Sequence, residues 1–393
     1  MTFTLDIDPF SRDFLLNPYP QHEVLRETAP VVRLERYDIW GMARHEHVYA
    51  TLNDWRTFCS SAGVGLSDFR KEKPWRPPSL LLESDPPLHT RARAVMTSVL
   101  SRKALNELRD TFTRAAQILV DDLVERGSFD AIEDLARAFP LKVFPDAVGV
   151  QDRERGNFLP YGNMAFNAFG PRNELLEGAM RDALPVSEWI MSHCQRDALR
   201  ADGFGAQIYA AADAGAITEE EAALLIRSLL TAGMDTTVNA IGNALVCFAR
   251  HPEAWQALHA EPSLARSAFD EAIRLESPVQ TFFRTTTREI EVGGEIVPEG
   301  HKILMFLGAA NRDPRRWPHS DQFDIHRNSA GHVGFGAGIH ACVGQMIARL
   351  EGEVVLTQLA RKIQGIEATG EPVPRFNNTL RGWDSLPVSI TAA

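Results

Sequence analysis

Cysteine is scarce in this sequence, and so are long apolar runs and positive charge. Four cysteines occur among 393 residues, and none forms a CxxC pair: Cys59, Cys194, Cys247 and Cys342. These wide spacings exclude a zinc knuckle, and so few cysteines in a long chain predict free thiols in a reducing compartment.

No stretch of the sequence approaches the roughly 18 consecutive apolar residues of a membrane-spanning helix. The first twenty residues carry aspartates and prolines where a secretion signal needs an apolar run. The formal charge of −11 argues against a nucleic-acid partner and against an anionic membrane surface. We therefore expect a cytoplasmic, monomeric protein that binds neither nucleic acid nor a membrane.

Helical periodicity covers most of the chain, from Pro87 to about Leu275. Residues 284–306 alternate instead, and a Gly-Gly turn at 293–294 predicts a hairpin there. A last helix is expected from about Cys342 to Lys362, with short strands closing the chain. We predict a mainly α fold with small β-sheets. Since no linker interrupts the sequence, residues 1–393 are expected to form one structural unit.

The longest predicted helix follows a capping box of Thr218 and Glu221 and stops before His251–Pro252. Its centre, AGMDTT, is polar and contains glycine, which suggests a distortion around a site. There Thr236 can bond back to the carbonyl of Ala232. A threonine solvated in a helix groove would explain the same pattern, and the helix alone leaves both interpretations open.

The segment FGAGIHACVG, residues 335–344, is the most informative part of the sequence. Two glycines before Cys342 permit tight turns and close approach to a flat ligand. Backbone amides at a helix start can hold the sulfur as a thiolate. A thiolate on haem iron favours O–O cleavage. We expect Cys342 to be such a ligand and the other three cysteines to be buried and inert.

This cysteine loop resembles the haem-binding pattern of the cytochrome P-450 monooxygenases. Glu271 and Arg274 resemble the ExxR pair of that family, and AGMDTT resembles its oxygen-binding helix motif. The likeness covers essentially the whole chain, in the right order and spacing. It implies the cytochrome P-450 fold, in which helices and small sheets surround haem b, and a haem-thiolate monooxygenase activity.

The resemblance also implies roles for individual residues. Cys342 would ligate the iron, with Phe335 and Gly336 shaping the loop beside the cofactor. Glu271 and Arg274 would pair with Arg327 to stabilise the proximal side. Four residues fall where the family places propionate ligands: His89, Arg93, Arg284 and His340. Asp235 and Thr236 would deliver protons during oxygen activation.

The chain shows no glycine-rich βαβ pattern for a flavin or nicotinamide. Electrons are therefore expected from an iron–sulfur ferredoxin, itself reduced by an NAD(P)H-dependent ferredoxin reductase. Four cations are candidates for a basic docking patch, although they are equally explained as scattered solvated charges: Arg91, Arg102, Lys103 and Arg349.

Substrate contacts in the family come from the loop before the propionate helix, from the middle of the long helix and from the segment around Phe282. Here these regions contain hydroxyls and an arginine, expected at one end of the substrate pocket, and aromatic rings, expected at the other end. The polar candidates are Arg76, Ser79 and Ser228, and the aromatic ones are Phe166, Phe169, Phe282 and Phe283. An apolar slot ending in arginine suits an aromatic carboxylate. The sequence resembles bacterial family members that oxidise para-substituted benzoates, with loss of a methoxy carbon as formaldehyde. The alternatives are a neutral terpenoid-like substrate, a peroxide-driven enzyme, or a haem-thiolate sensor without catalysis.

Overall fold

The computed structural model describes residues 3–151 and 154–393, and helices dominate it. No helix in those ranges combines the length and apolar character needed to cross a bilayer. The α-helices of the described ranges are α1 Arg12–Leu16, α2 Tyr19–Thr28, α3 His45–Asn53, α4 Leu88–Val99, α5 Arg102–Arg126, α6 Ala138–Val148, α7 Phe158–Asn167, α8 Glu174–Ala183, α9 Ser187–His193, α10 Phe204–Asp213, α11 Glu219–Arg250, α12 Pro252–Ala260, α13 Ala265–Glu276, α14 Leu307–Asn311 and α15 Gln345–Lys362.

The strands are short and form small sheets, as predicted. They are β1 Thr4–Leu5, β2 Val32–Leu34, β3 Ile39–Met42, β4 Phe58–Cys59, β5 Ser128–Asp130, β6 Thr281–Thr286, β7 Ile290–Val292, β8 Glu295–Val297, β9 Lys302–Phe306, β10 Ile363–Ala368, β11 Val373–Arg375, β12 Gly382–Ser385 and β13 Pro387–Ala392. The largest sheet has the order β1-β2-β3-β9-β6-β4, and a second has the order β10-β13-β5. The predicted Gly-Gly turn joins β7 to β8, with positive φ at both Gly293 and Gly294.

The 32-residue helix α11 is the central element of the largest apolar core. It begins at the predicted capping box, where the side chains of Thr218 and Glu221 each bond the other's backbone amide. The predicted bond is also present, because Thr236 Oγ1 donates to the Ala232 carbonyl at 2.6 Å. The backbone nevertheless stays α-helical from Glu219 to Arg250. The expected distortion therefore does not interrupt the helix.

Strand β6 forms one wall of the site. Its side chains alternate between the two faces of the sheet, so every second one points toward the site. It pairs antiparallel with β9, with Phe282 opposite Met305 and Arg284 opposite Ile303. Phe282 and Arg284 face a large cavity. Phe283 points to the other face and is buried in a separate apolar cluster. The expectation that Phe283 lines the substrate space is therefore wrong.

A buried carboxylate on α13 fixes the long loop that precedes α15. Glu271 accepts hydrogen bonds from Arg274, at 2.8 Å to each oxygen, and from Arg327 Nε at 3.0 Å. Ser329 Oγ donates to the same carboxylate at 2.7 Å. Glu271 and Arg274 have no solvent exposure. The three residues expected from the ExxR resemblance therefore meet, and they tie α13 to the loop that carries the cysteine.

The helix after the cysteine begins three residues later than predicted, at Gln345. The Cys342 amide donates instead to the Phe335 carbonyl at 2.8 Å, which folds the loop back on itself. Gly336 and Gly338 both have φ of +67°, a conformation that glycine adopts without strain. The sulfur therefore lies just ahead of the helix N-terminus.

Candidate active site

A cavity of about 1720 Å³, its mouth included, lies between α11, β6 and the cysteine loop. Most of its lining is apolar. The polar exceptions form two groups, one beside Cys342 and one near Ser228.

Cys342 lines the cavity, and its exposed surface faces that space. Burial raises the pKa of the thiol, while the Gly344 amide and the charge of Arg93 act in the opposite direction. Amides at the start of a helix stabilise a thiolate. This sulfur therefore has the surroundings of a metal ligand, whereas Cys194 and Cys247 are buried and have strongly raised pKa values.

Cationic and imidazole groups surround the cavity beside the cysteine. Arg93, Arg284 and His340 line it, and the His89 ring lies 4.3 Å from the His340 ring. Arg284 is buried, and its Nη1 donates to the neighbouring Phe283 carbonyl at 2.8 Å. The buried His89 Nε2 has no hydrogen-bond partner within residues 3–151 and 154–393. Buried cations and an unpartnered imidazole next to a thiol fit a dianionic iron porphyrin.

Thr236 and Asp235 occupy different sides of α11. Thr236 lines the cavity, whereas the Asp235 carboxylate is fully buried at the contact with α7 and β11. Arg375 Nη1 donates to Asp235 Oδ1 at 3.0 Å, and no described residue bonds Oδ2. Burial raises the pKa of Asp235, opposed by Arg375. Gly162 makes room for this carboxylate, because a Cβ there would lie 3.1 Å from Oδ2.

The second polar group is farther along α11, where Ser228 precedes Thr236 by eight residues, or about 12 Å of helix. Ser79 Oγ lies 3.3 Å from Ser228 Oγ. Arg76 Nη1 bonds Glu83 at 2.8 Å. Arg76, Ser79 and Ser228 all line the cavity, as the sequence predicts.

Arg227 is a residue of this site that no sequence motif indicates. Arg227 is buried, lines the cavity, and donates to the Pro77 carbonyl at 2.8 Å. Its pKa is lowered by burial and by the charge of Arg76. A charged residue inside the apolar run ALLIRSLL is the signal that could have identified it.

Three aromatic side chains form a continuous wall of the cavity. The rings of Phe166 and Phe169 are 5.8 Å apart, and those of Phe169 and Phe282 are 5.6 Å apart. Both pairs meet edge to face, an arrangement that aromatic rings favour. Phe166 and Phe169 are buried and Phe282 is partly buried, so this apolar wall suits the flat face of an aromatic ligand.

The four cations considered for docking do not form one free patch. Arg91 pairs with Glu221 at the start of α11. Arg349 bonds Asp270 at 2.6 Å and lies over the Phe335 ring at 4.3 Å. Arg102 and Lys103 are exposed at the start of α5. Of the four predicted docking residues, Arg102 and Lys103 therefore remain as candidates for a free basic surface.

Comparison with known proteins agrees with this fold and site, which define a haem-thiolate oxygenase. The family model described as Cytochrome P450 matches residues 196–382. Cytochrome p450 CYP199A2 of Rhodopseudomonas palustris is 58% identical over 99% of this chain and 95% of its own length. Cytochrome P450 107B1 of Saccharopolyspora erythraea is 31% identical over 98% of this chain and 97% of its own. The chain belongs to the cytochrome P450 family, and it is therefore a monooxygenase with a haem b cofactor.

Solved structures give the same result. Cytochrome P450 CREJ superposes with a TM-score of 0.87 at 28% identity, covering 98% of this chain and 99% of that one. CREJ in complex with (4-ethylphenyl) dihydrogen phosphate has a TM-score of 0.86 at 27% identity, with the same coverage. Cytochrome P450 CYP109Q5 from Chondromyces apiculatus has a TM-score of 0.82 at 31% identity and covers 99% of each chain.

Proposed function

We propose that this monooxygenase oxidises the para substituent of a small aromatic carboxylate, such as 4-methoxybenzoate, whose hydroxylated methoxy carbon leaves as formaldehyde. One observation carries the proposal. Two arginines, Arg76 and Arg227, line the far end of the cavity, and the acid beside them among the described residues is Glu83, which bonds Arg76. That end carries one unbalanced buried positive charge, and a substrate carboxylate would balance it.

The hydroxyls of Ser79 and Ser228 add donors at this same end, because each can turn its hydrogen toward a bound carboxylate. The aromatic wall would hold the ring, directing its para position away from the arginines. A para-substituted aromatic ring with an anionic head is also the ligand in the CREJ complex. The cavity of this chain has a charged end and an apolar slot that match such a ligand. This match supports a benzoate over a neutral terpenoid as the substrate.

Haem would be held by Cys342 through its sulfur, with Phe335 and Gly336 shaping the loop beside it. Its propionates would bind Arg93, Arg284, His89 and His340. When bound, haem supplies the oxygen-activating chemistry of the family. The chain contributes the thiolate environment, the charge-balancing cations and a mostly apolar cavity.

Proton supply would come from α11. The Thr236 hydroxyl faces the cavity and would hold a water on the distal side. Asp235, the neighbouring residue on the helix, would supply the protons, and its carboxylate is held by Arg375 in this structure. This pair of an acid and a hydroxyl would serve oxygen activation. A sensor would have no use for it.

Electrons would come from a separate iron–sulfur ferredoxin, reduced by an NAD(P)H-dependent reductase. Arg102 and Lys103 are exposed cations that would attract its acidic surface. The free, buried thiols of Cys59, Cys194 and Cys247 favour the reducing cytoplasm as the compartment in which it acts.

The test is a titration of the haem-loaded protein with 4-methoxybenzoate and with its methyl ester, monitored by the spin-state shift of the Soret band. A hydrogen bond to a charged group contributes about 1.5–3 kcal/mol, so the acid should bind roughly 10- to 100-fold more tightly than the ester. Arg227→Gln should remove most of that difference, while Arg114→Gln, an exposed control, should retain it. Equal binding of acid and ester would favour a neutral substrate. Binding without product during turnover would favour a sensor.

A further inference from the structure

Five asparagines link the end of α7 and the start of α8 to the segment just after β11. We propose that this amide network positions the aromatic wall and thereby determines which para substituents the enzyme accepts, an inference that rests on the proposed aromatic acid substrate. Neither the cofactor site nor the carboxylate site uses these residues. They are Asn163, Asn167, Asn173, Asn377 and Asn378.

Asn378 is the centre of the network and is 2% exposed. Its backbone amide donates to Asn167 Oδ1 at 2.9 Å, and its Nδ2 donates to the Asn167 carbonyl at 3.0 Å. The same Nδ2 donates to Asn173 Oδ1 at 3.1 Å, while Asn173 Nδ2 donates back to Asn378 Oδ1 at 2.8 Å. The side-chain amide of Asn378 therefore bonds through both its nitrogen and its oxygen to residues more than 200 positions away in the sequence.

Asn377 makes the second set of contacts. Its Nδ2 donates to the carbonyl and to the side-chain oxygen of Asn163, at 3.2 and 3.0 Å. Its Oδ1 accepts the amides of Thr379 and Leu380 at 2.9 and 3.0 Å. Asn167 Nδ2 also donates to Asn163, which closes the network. Such a buried network fixes one geometry, because any displacement leaves polar groups unpaired.

The turn that carries Phe169 is held between this network and a second loop. The Phe169 carbonyl accepts the Leu66 amide at 2.8 Å. A Cβ on Gly65 would lie 2.8 Å from Phe169 Cα, and a Cβ on Gly170 would lie 2.5 Å from Asn378 Cβ. Glycine at both positions permits this close approach. The turn therefore has backbone contacts on both sides and little room to move.

The aromatic wall depends directly on this turn. Phe166 and Phe169 flank Asn167 in the sequence, and both line the cavity. A shift of the turn would move both rings together relative to Phe282. One methylene of extra or missing space changes discrimination by roughly 10- to 200-fold, so even a small shift should change substrate selectivity. The asparagines act through the rings and are positioning residues.

The experiment compares 4-methoxybenzoate with the longer 4-propoxybenzoate in Soret titrations of the haem-loaded protein. The measured quantity is the ratio of the two Kd values, which a general loss of stability leaves unchanged. Asn378→Ala should bring the ratio about tenfold closer to one. Asn173→Ser should change it in the same direction, since serine retains the N-cap of α8 but is too short to reach Asn378. Asn106→Ala, exposed on α5, should leave the ratio unchanged.

The outcomes separate the two proposals. If the unsubstituted protein responds to neither benzoate, the substrate proposal fails, and this inference fails with it. If the unsubstituted protein binds 4-methoxybenzoate but the ratio stays within about twofold in Asn173→Ser and Asn378→Ala, the network inference alone is overturned. Should Asn378→Ala lose haem, Asn173→Ser decides the question.

Discussion

Arg274→Lys tests whether the buried ion pair on α13 holds the cysteine loop. Arg274 uses all five of its donor hydrogens: Nε and Nη2 bond Glu271, Nη1 bonds the carbonyls of Asn311 and Ser320, and Nη2 also bonds the Gln322 carbonyl. Lysine keeps the charge but offers three donors. At least two buried acceptors would lose their partners, at about 1–3 kcal/mol each.

We therefore expect Arg274→Lys to lower the free energy of unfolding by about 2–6 kcal/mol, a large part of the 5–15 kcal/mol typical of a folded protein. Urea unfolding, followed by tryptophan fluorescence and by the Soret band, measures this loss. Haem content and the carbon-monoxide difference spectrum report thiolate ligation, which should decline because Glu271 also holds Ser329, in the segment that leads into the cysteine loop.

The matched control is Arg196→Lys. Arg196 makes the same bidentate contact, with Asp213 at 2.7 and 2.9 Å, but both side chains are about half exposed. Arg196→Lys should therefore change the free energy of unfolding far less than Arg274→Lys, because an exposed ion pair contributes little to stability. If Arg274→Lys also stayed within about 0.5 kcal/mol of the unsubstituted protein and kept its haem, the reasoning on buried donors would be refuted.

Three further outcomes are expected. Thr236→Ala should keep consuming electrons but release them as hydrogen peroxide, with product per electron reduced by about tenfold or more; an unchanged yield would exclude the proton role. Burial lowers the pKa of Lys302 from 10.5 to about 8. Between these pH values Lys302 is therefore protonated in the unfolded chain and mostly neutral in the folded protein. The free energy of unfolding should rise by about 3 kcal/mol as pH increases from 8 to 10.5. Lys302→Met should flatten this rise, whereas Lys103→Met, at an exposed position, should retain it. Equal slopes of unfolding free energy against pH in both variants would contradict the assignment of the rise to Lys302. Gly162→Ala should crowd the Asp235 carboxylate and lower product per electron without changing the Kd for the acid, and a lowered affinity alone would argue against this role.

Local sequence signals predicted the elements of the fold well. The capping box at Thr218, the proline after His251 and the Gly-Gly turn act within a few residues, so their effects can be read directly from the sequence. The helix after Cys342 was placed three residues too early because the amide of that residue bonds back to Phe335, a contact that helical periodicity does not reveal.

Residues of the site could be predicted where a sequence motif contains them. They were missed where segments distant in the sequence meet. Arg227 was missed because helical spacing does not tell whether a charged side chain faces solvent or a cavity. The partner of Asp235 is Arg375, 140 residues away, and no sequence pattern connects them. Phe283 was assigned to the cavity because the direction of alternation along β6 becomes clear only from its pairing with β9.

The asparagine network also has a consequence for biosynthesis. Its two halves are more than 200 residues apart, so the wall of the cavity cannot close until the segment with Asn377 and Asn378 has left the ribosome. By then the cysteine loop, which precedes that segment, has already been synthesised. Assembly of the site is thus a late event dominated by long-range contacts, which form slowly. The aromatic wall should accordingly be completed after the segments that contribute the cysteine loop have been synthesised.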